Sequence, residues 1–230
     1  MLKKYVLSPF WGRGFRPFFL FGALYGAVSV MLWAAAYAGY LTLPAIFPTA
    51  MHWHAHEMIY GFGVAIVAGF LLTAVANWTG GAPARQVHLL ALCALWIAGR
   101  VVVNLPDMGS IWLVAAIDSA FIPALAITLS IPLIHSKNHR NFVFLLLLGI
   151  LFTCDIAFYV TGALTPIYVA LFVICAMISV IGGRIIPAFT FATLRQRGIV
   201  VSQINQEPYD IAALMSLLAL MASVGIFGTD

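Results

Sequence analysis

The sequence predicts an all-α fold, a polytopic membrane bundle of about seven transmembrane helices with a cytoplasmic N-terminus. Three observations predict it. Of 230 residues, 63% are hydrophobic and only 8% charged, whereas a soluble domain carries about 25% charged residues. Mean hydropathy is +1.06. Apolar runs of roughly 20 residues, long enough to cross a bilayer, recur along the chain between short polar links. The net charge of +4 does not imply a nucleic-acid partner, because the cations are few and segregate by loop.

The first 16 residues carry Lys3, Lys4, Arg13 and Arg16, and an apolar run follows from Pro17 to about Tyr40. A secretory signal has an apolar core of only about 7–15 residues, so this run reads as a retained span. Gly22 and Gly26 form a GxxxG, a candidate close-packing face. Thr49, after Pro48, is placed to cap a second helix reaching Trp78, with its span from Trp53. Along it Glu57, Gly61, Ala65, Gly69 and Thr73 recur every four residues, a row of small residues that lets a neighbouring helix approach, so this face is expected to look into the protein and Glu57 with it.

Gly80-Gly81-Ala82-Pro83 reads as a turn. Further spans are expected over His88–Leu105, Ile111–Ile134, Phe142–Thr161, Pro166–Phe191 and Tyr209–Phe227, all within a single transmembrane domain covering 1–230. Arg100, Asp118 and Asp155 lie inside these runs. Cys93, Cys154 and Cys175 sit in apolar stretches without a CxxC and read as packing residues. Trp53, Trp78 and Trp112 fall where interfacial aromatics are expected.

Lys and Arg fix the orientation. The N-terminal tail has four of them. On the same side the second-to-third link has Arg85, the fourth-to-fifth Lys137 and Arg140, and the sixth-to-seventh Arg195 and Arg197. The opposite side has only Arg100. Positive loops face the cytoplasm, so the N-terminus is inside and the start of the second span is outside.

At that outer end stands His52-Trp53-His54-Ala55-His56-Glu57-Met58. Imidazoles and a carboxylate at the mouth of a span need a partner, whether metal, charge or water. On a helix His52 and His56 share a face while His54 points nearly opposite. The segment therefore chelates one metal through His52 and His56, serves two centres from two faces, or forms a polar helix cap. If the chain is extended there, His54 and His56 point the same way. With the proposed orientation, Arg100, Asp118 and Asp155 also lie in the outer half. Arg100 either snorkels outward or pairs with an anion; Asp118 and Asp155 either bond hydroxyls and backbone at helix contacts or act in chemistry.

Several motifs, in order, resemble the NnrS family. They are Phe15-Arg16-Pro17-Phe18-Phe19, Trp53-His54-Ala55-His56-Glu57-Met58 with Gly61-Phe62, Ala68-Gly69-Phe70-Leu71-Leu72-Thr73-Ala74-Val75 with Asn77-Trp78-Thr79-Gly80, Gly99-Arg100, and Gly182-Gly183-Arg184-Ile185-Ile186-Pro187-Ala188-Phe189-Thr190. The resemblance implies a multi-pass protein of the bacterial inner membrane that binds haem b and copper in nitric oxide metabolism and nitrosative stress. It implies cofactor roles for His54, His56 and Glu57. Arg100, if it does not snorkel, is the candidate cation for a carboxylate or a haem propionate, and a membrane redox partner is a further candidate. His52 falls outside the family motif, which favours His54 and His56 as the pair. Family members have about a dozen spans, so the chain is expected to be either the first part of a longer family-type chain or a shortened member.

Two other functions compete. A transporter would carry metal, protons or a small anion past Glu57, Asp118, Asp155 and Arg100. A structural partner would hold or deliver a cofactor for another membrane enzyme.

Overall fold

The first helix, α1 (Phe15–Tyr37), shows how the bundle is assembled. Its first amide, on Phe15, has no carbonyl within its own helix and donates instead to the Thr73 hydroxyl of the next span at 3.1 Å. The computed structural model describes residues 8–44, 46–105, 109–199, 202 and 207–227. Lys3 and Lys4 lie outside the described residues. Among these residues every regular element is helical, and seven helices are long and apolar enough to cross a membrane. The protein is a multi-pass membrane protein.

After α1 come α2 (Ala50–Thr79), α3 (Gln86–Asn104), α4 (Ile111–His135), α5 (Phe142–Thr161), α6 (Thr165–Gln196) and α7 (Glu207–Phe227). The chain divides into two compact units, Met1–Ile167 and Tyr168–Asp230. In the first, α2 is the central helix: most of its apolar stretch is buried, whereas most of α1 is not. Large apolar side chains such as Met31 and Leu146 point outward, while the polar groups gather inside, the arrangement a hydrocarbon surround favours. In the second unit, a side chain at Gly183 of α6 would meet the Asp210 carboxylate of α7 at 2.6 Å, so glycine there admits the carboxylate.

Thr49 caps α2 as its position predicts, with extended backbone and its hydroxyl accepting from the His52 amide. The helix ends on Gly80 in the left-handed conformation, where only glycine is unstrained. The row of small residues faces α1. A Cβ on Gly22 would lie 3.1 Å from the Ala65 side chain, and one on Gly69 would strike Phe19. The GxxxG and the four-residue row thus interlock.

Two departures from regular helix shape the interior of the first unit. Over Glu57–Gly63 the second span widens into a π-helical turn, in which amides reach back five residues, as Val64 does to the Ile59 carbonyl. The fourth span breaks at Ala120 into Ile111–Ser119 and Phe121–His135. Pro123 explains the break, because it has no amide to give the Ser119 carbonyl and its ring crowds that group. Asp118 therefore sits at the end of a short helix piece.

Candidate functional site

Five ionisable side chains meet inside the first unit: His56, Glu57, Arg100, Asp118 and Asp155, none more than 6% exposed. They come from four spans. The Arg100 guanidinium of α3 donates through Nη1 to Glu57 Oε1 at 2.9 Å and through Nη2 to Asp118 Oδ1 of α4. His56 Nδ1 meets Glu57 Oε1 at 2.8 Å. Its Nε2 lies 3.2 Å from both Asp118 Oδ2 and Asp155 Oδ1 of α5. Glu57 and Asp118 thus each meet the Arg100 cation, and Asp155 meets the His56 ring, so each buried carboxylate has the polar partner that a low-dielectric interior requires.

A ring of neutral polar groups holds the charges in place. Tyr25 of α1 donates to Glu57 Oε2. Asn104 donates to the Tyr25 oxygen at 3.1 Å and accepts from the Trp53 indole at 3.2 Å. Tyr159 donates to Asp118 Oδ2 at 2.8 Å. Two glycines admit the contacts. A Cβ at Gly99 would lie 2.7 Å from Asp118 Oδ1, and one at Gly61 would lie 2.6 Å from the Tyr25 ring and 3.0 Å from Arg100 Nη1. The Trp96 indole donates to the Gly61 carbonyl at 3.1 Å, so the widened turn is tied to α3.

The chain is helical at the histidine segment, and its three histidines have three environments. His52 pairs Nδ1 with the Thr49 hydroxyl at 2.7 Å and stacks on Phe158. His56 also stacks on Phe158, so the two do share a face, yet both nitrogens of His56 are directed at carboxylates. His54 points away from this cluster, its ring stacked on Trp33 at 4.3 Å, and its buried Nδ1 has no partner. Arg100 does not snorkel; it is the central cation. Trp53 differs from the interfacial role its position suggests: it is 1% exposed and anchors Asn104.

Among the described residues, His56, Asp118 and Asp155 each offer one ligand atom, all within 4.8 Å of one another. An imidazole with two carboxylates is a donor set that divalent transition metals accept. The remaining nitrogen of a metal-bound imidazole ordinarily donates to a carboxylate, and His56 Nδ1 faces Glu57 in that way. A haem does not fit at His56 as the ring stands. The His56 ring is enclosed by Phe47, Tyr60, Phe158 and Tyr159. Nor is either of two large cavities lined by His52, His54 or His56. One, of about 610 Å³, is bordered by Arg85, His88 and His135; the other, of about 580 Å³, lies between α1 and α3.

A family model described as NnrS protein matches residues 9–229. The chain belongs to the NnrS family. No curated protein matches it, and no solved structure does. At the level of the family, this NnrS chain is a membrane protein related to nitric oxide. The NnrS motifs divide between the two units. The Trp53–Met58 and Gly99-Arg100 motifs build the buried cluster, whereas Gly182–Thr190 lies on α6 in the second unit. Sequence reasoning missed Tyr25, Asn104 and Tyr159. The only local signal was a polar group within an apolar run, and for Tyr25 its place between Gly22 and Gly26.

Proposed function

We propose that this NnrS protein binds one copper ion through His56, Asp118 and Asp155 and acts in nitric oxide metabolism and the response to nitrosative stress. The observation that carries the metal assignment is the convergence of three buried ligand atoms within 4.8 Å. Charge supports it. Glu57, Asp118 and Asp155 bring three negative charges against the single permanent cation Arg100, and a divalent ion beside a neutral His56 makes the cluster neutral. Copper bound there would supply one-electron chemistry to a small diatomic ligand.

The protein's own residues do the rest. Glu57 orients His56 through Nδ1 and keeps Nε2 turned toward the two aspartates. Arg100 and Tyr159 hold Asp118 in place. Phe47, Phe158 and Tyr60 exclude water from the imidazole. No part of this reading passes through a haem.

The test is copper content of the protein purified from copper-supplied cells. About one ion per chain in the parent and none in His56→Ala is the expected result. Full copper in His56→Ala and in Asp155→Asn would overturn the assignment. For the cellular role, loss of the protein should sensitise cells to nitric oxide more than to peroxide; equal tolerance of nitric oxide in mutant and parent would count against it.

A second reading draws on the same geometry. His56 bridges Glu57 on one nitrogen and Asp155 on the other, a hydrogen-bonded line suited to passing protons. Vesicles holding the copper-free protein would show it as proton flux that His56→Ala abolishes.

A further inference from the structure

The larger cavity, about 610 Å³, opens where α2 ends, α3 begins and α4 ends. Its size falls within the ~300–1,000 Å³ usual for small-molecule sites. Leu72 and Val75 of α2, both buried, form an apolar back wall, and Ile131 and Pro132 of α4 continue it toward the mouth. Deeper in, His88 Nε2 of α3 meets the Thr128 hydroxyl of α4 at 2.9 Å and ties the two side walls together. Two turns of α4 separate Thr128 from His135 at the mouth, so the cavity runs about 10 Å along the helices.

The mouth is cationic and has no anion of its own. Arg85 and His135 stand there beside Ser136, all three exposed. The Arg85 guanidinium caps nothing and has no ion pair among the described residues. No aspartate or glutamate lines the cavity among those residues. None occurs in the two links beside it, 80–85 and 136–141, and the second adds Lys137 and Arg140. These are links whose cations mark the cytoplasmic side.

We infer that the cavity binds an anionic phospholipid, its phosphate at Arg85 and His135 and its glycerol and upper acyl chain along the apolar wall. Charge selects the headgroup. An uncompensated guanidinium favours a lipid of net negative charge over phosphatidylcholine, whose choline offsets its own phosphate. The wall selects lipid over free phosphate, because Leu72, Val75, Ile131 and Pro132 give a hydrated ion nothing to bond and give hydrocarbon a surface to cover. Ile131, 53% exposed, leads from the mouth to the bilayer. None of the three copper ligands lines this cavity, so the assignment stands apart from the copper reading.

The test uses the full chain in detergent, dioleoylphosphatidylglycerol as probe, and native mass spectrometry to count bound lipid. One phosphatidylglycerol per chain should bind at least tenfold more tightly than phosphatidylcholine with the same acyl chains. Arg85→Gln should weaken it at least tenfold and His135→Gln severalfold. Both side chains are exposed, so helicity and copper content should not change. Lys137→Asn, outside the cavity lining, should bind as the parent does. Equal affinity for the two lipids would overturn the assignment. So would equal weakening by Arg85→Gln and Lys137→Asn, which would show attraction to general surface charge. Displacement of the lipid by inorganic phosphate at equal concentration would overturn it too, in favour of a soluble anion. Copper loss with lipid binding intact defeats the metal reading alone, and the converse defeats only this one.

Discussion

Arg100 and Glu57 meet at 2.9 Å, 43 residues apart in the chain and both shielded from solvent. The pair joins α3 to the widened turn of α2, and Asp118 closes it from α4. Breaking one partner of such a contact leaves a bare charge in hydrocarbon. Arg100→Leu should cost about 3–5 kcal/mol. Adding Glu57→Gln and Asp118→Asn should recover much of that loss, because neutral groups remain. Thermal unfolding in detergent checks both; a triple variant no more stable than Arg100→Leu alone would mean that the charge pairing is not what holds the helices.

Gly99 should be sensitive out of proportion to its size. A methyl group there meets Asp118 at its carboxylate and also at its Cα, 3.1 Å away, so α3 and α4 must separate. Gly99→Ala is expected to cost about 1–3 kcal/mol and to weaken copper binding. Gly12, where an added methyl group would meet nothing within 4 Å, is the control and should accept alanine unchanged.

The histidines should separate by metal. His54→Ala keeps copper, since His54 stacks on Trp33 away from the ligand cluster, while His56→Ala loses it. Ligands must be deprotonated to bind. Copper affinity of the parent should therefore rise with pH, with protons released on binding, measurable in weakly buffered solution. A pH-independent affinity, or joint loss of copper from both variants, would contradict the site.

Orientation is testable independently. In a variant lacking Cys93, Cys154 and Cys175, a cysteine at Met51, at the start of α2, should react with an impermeant reagent in intact spheroplasts. One at Lys137 should react only after lysis. The reverse pattern would invert the topology and move the cluster to the cytoplasmic half.

Hydropathy disclosed the spans, and local spacing disclosed the Thr49 cap and the close-packing faces of α1 and α2, because each of these is decided by neighbours within a few residues. Glu57 could be placed facing inward by the same means. What it faces could not. His56 meets Asp155 across 99 residues and Arg100 meets Asp118 across 18, and periodicity assigns a face to each helix without saying which helix it meets. Trp53 shows the limit well: an aromatic near a span end suits the membrane interface, and only the position of Asn104 explains its burial. The widening of α2 left no mark either, since EMIYGFG contains no residue that ordinary helix rejects except glycine.

That widened turn has a consequence for how the sequence can change. A π-helical turn is an α-helix carrying one surplus residue. Deleting a single residue between Met58 and Gly63 would let α2 regain ordinary winding, with both flanking stretches free to keep their neighbours. The helix would survive the deletion while Glu57 and Gly61 lost their alignment on Arg100. Length variation at this point would therefore separate relatives that preserve the bundle from relatives that preserve its chemistry, and an aligned gap there would be a more telling ancestral mark than any substitution on the lipid-facing surface.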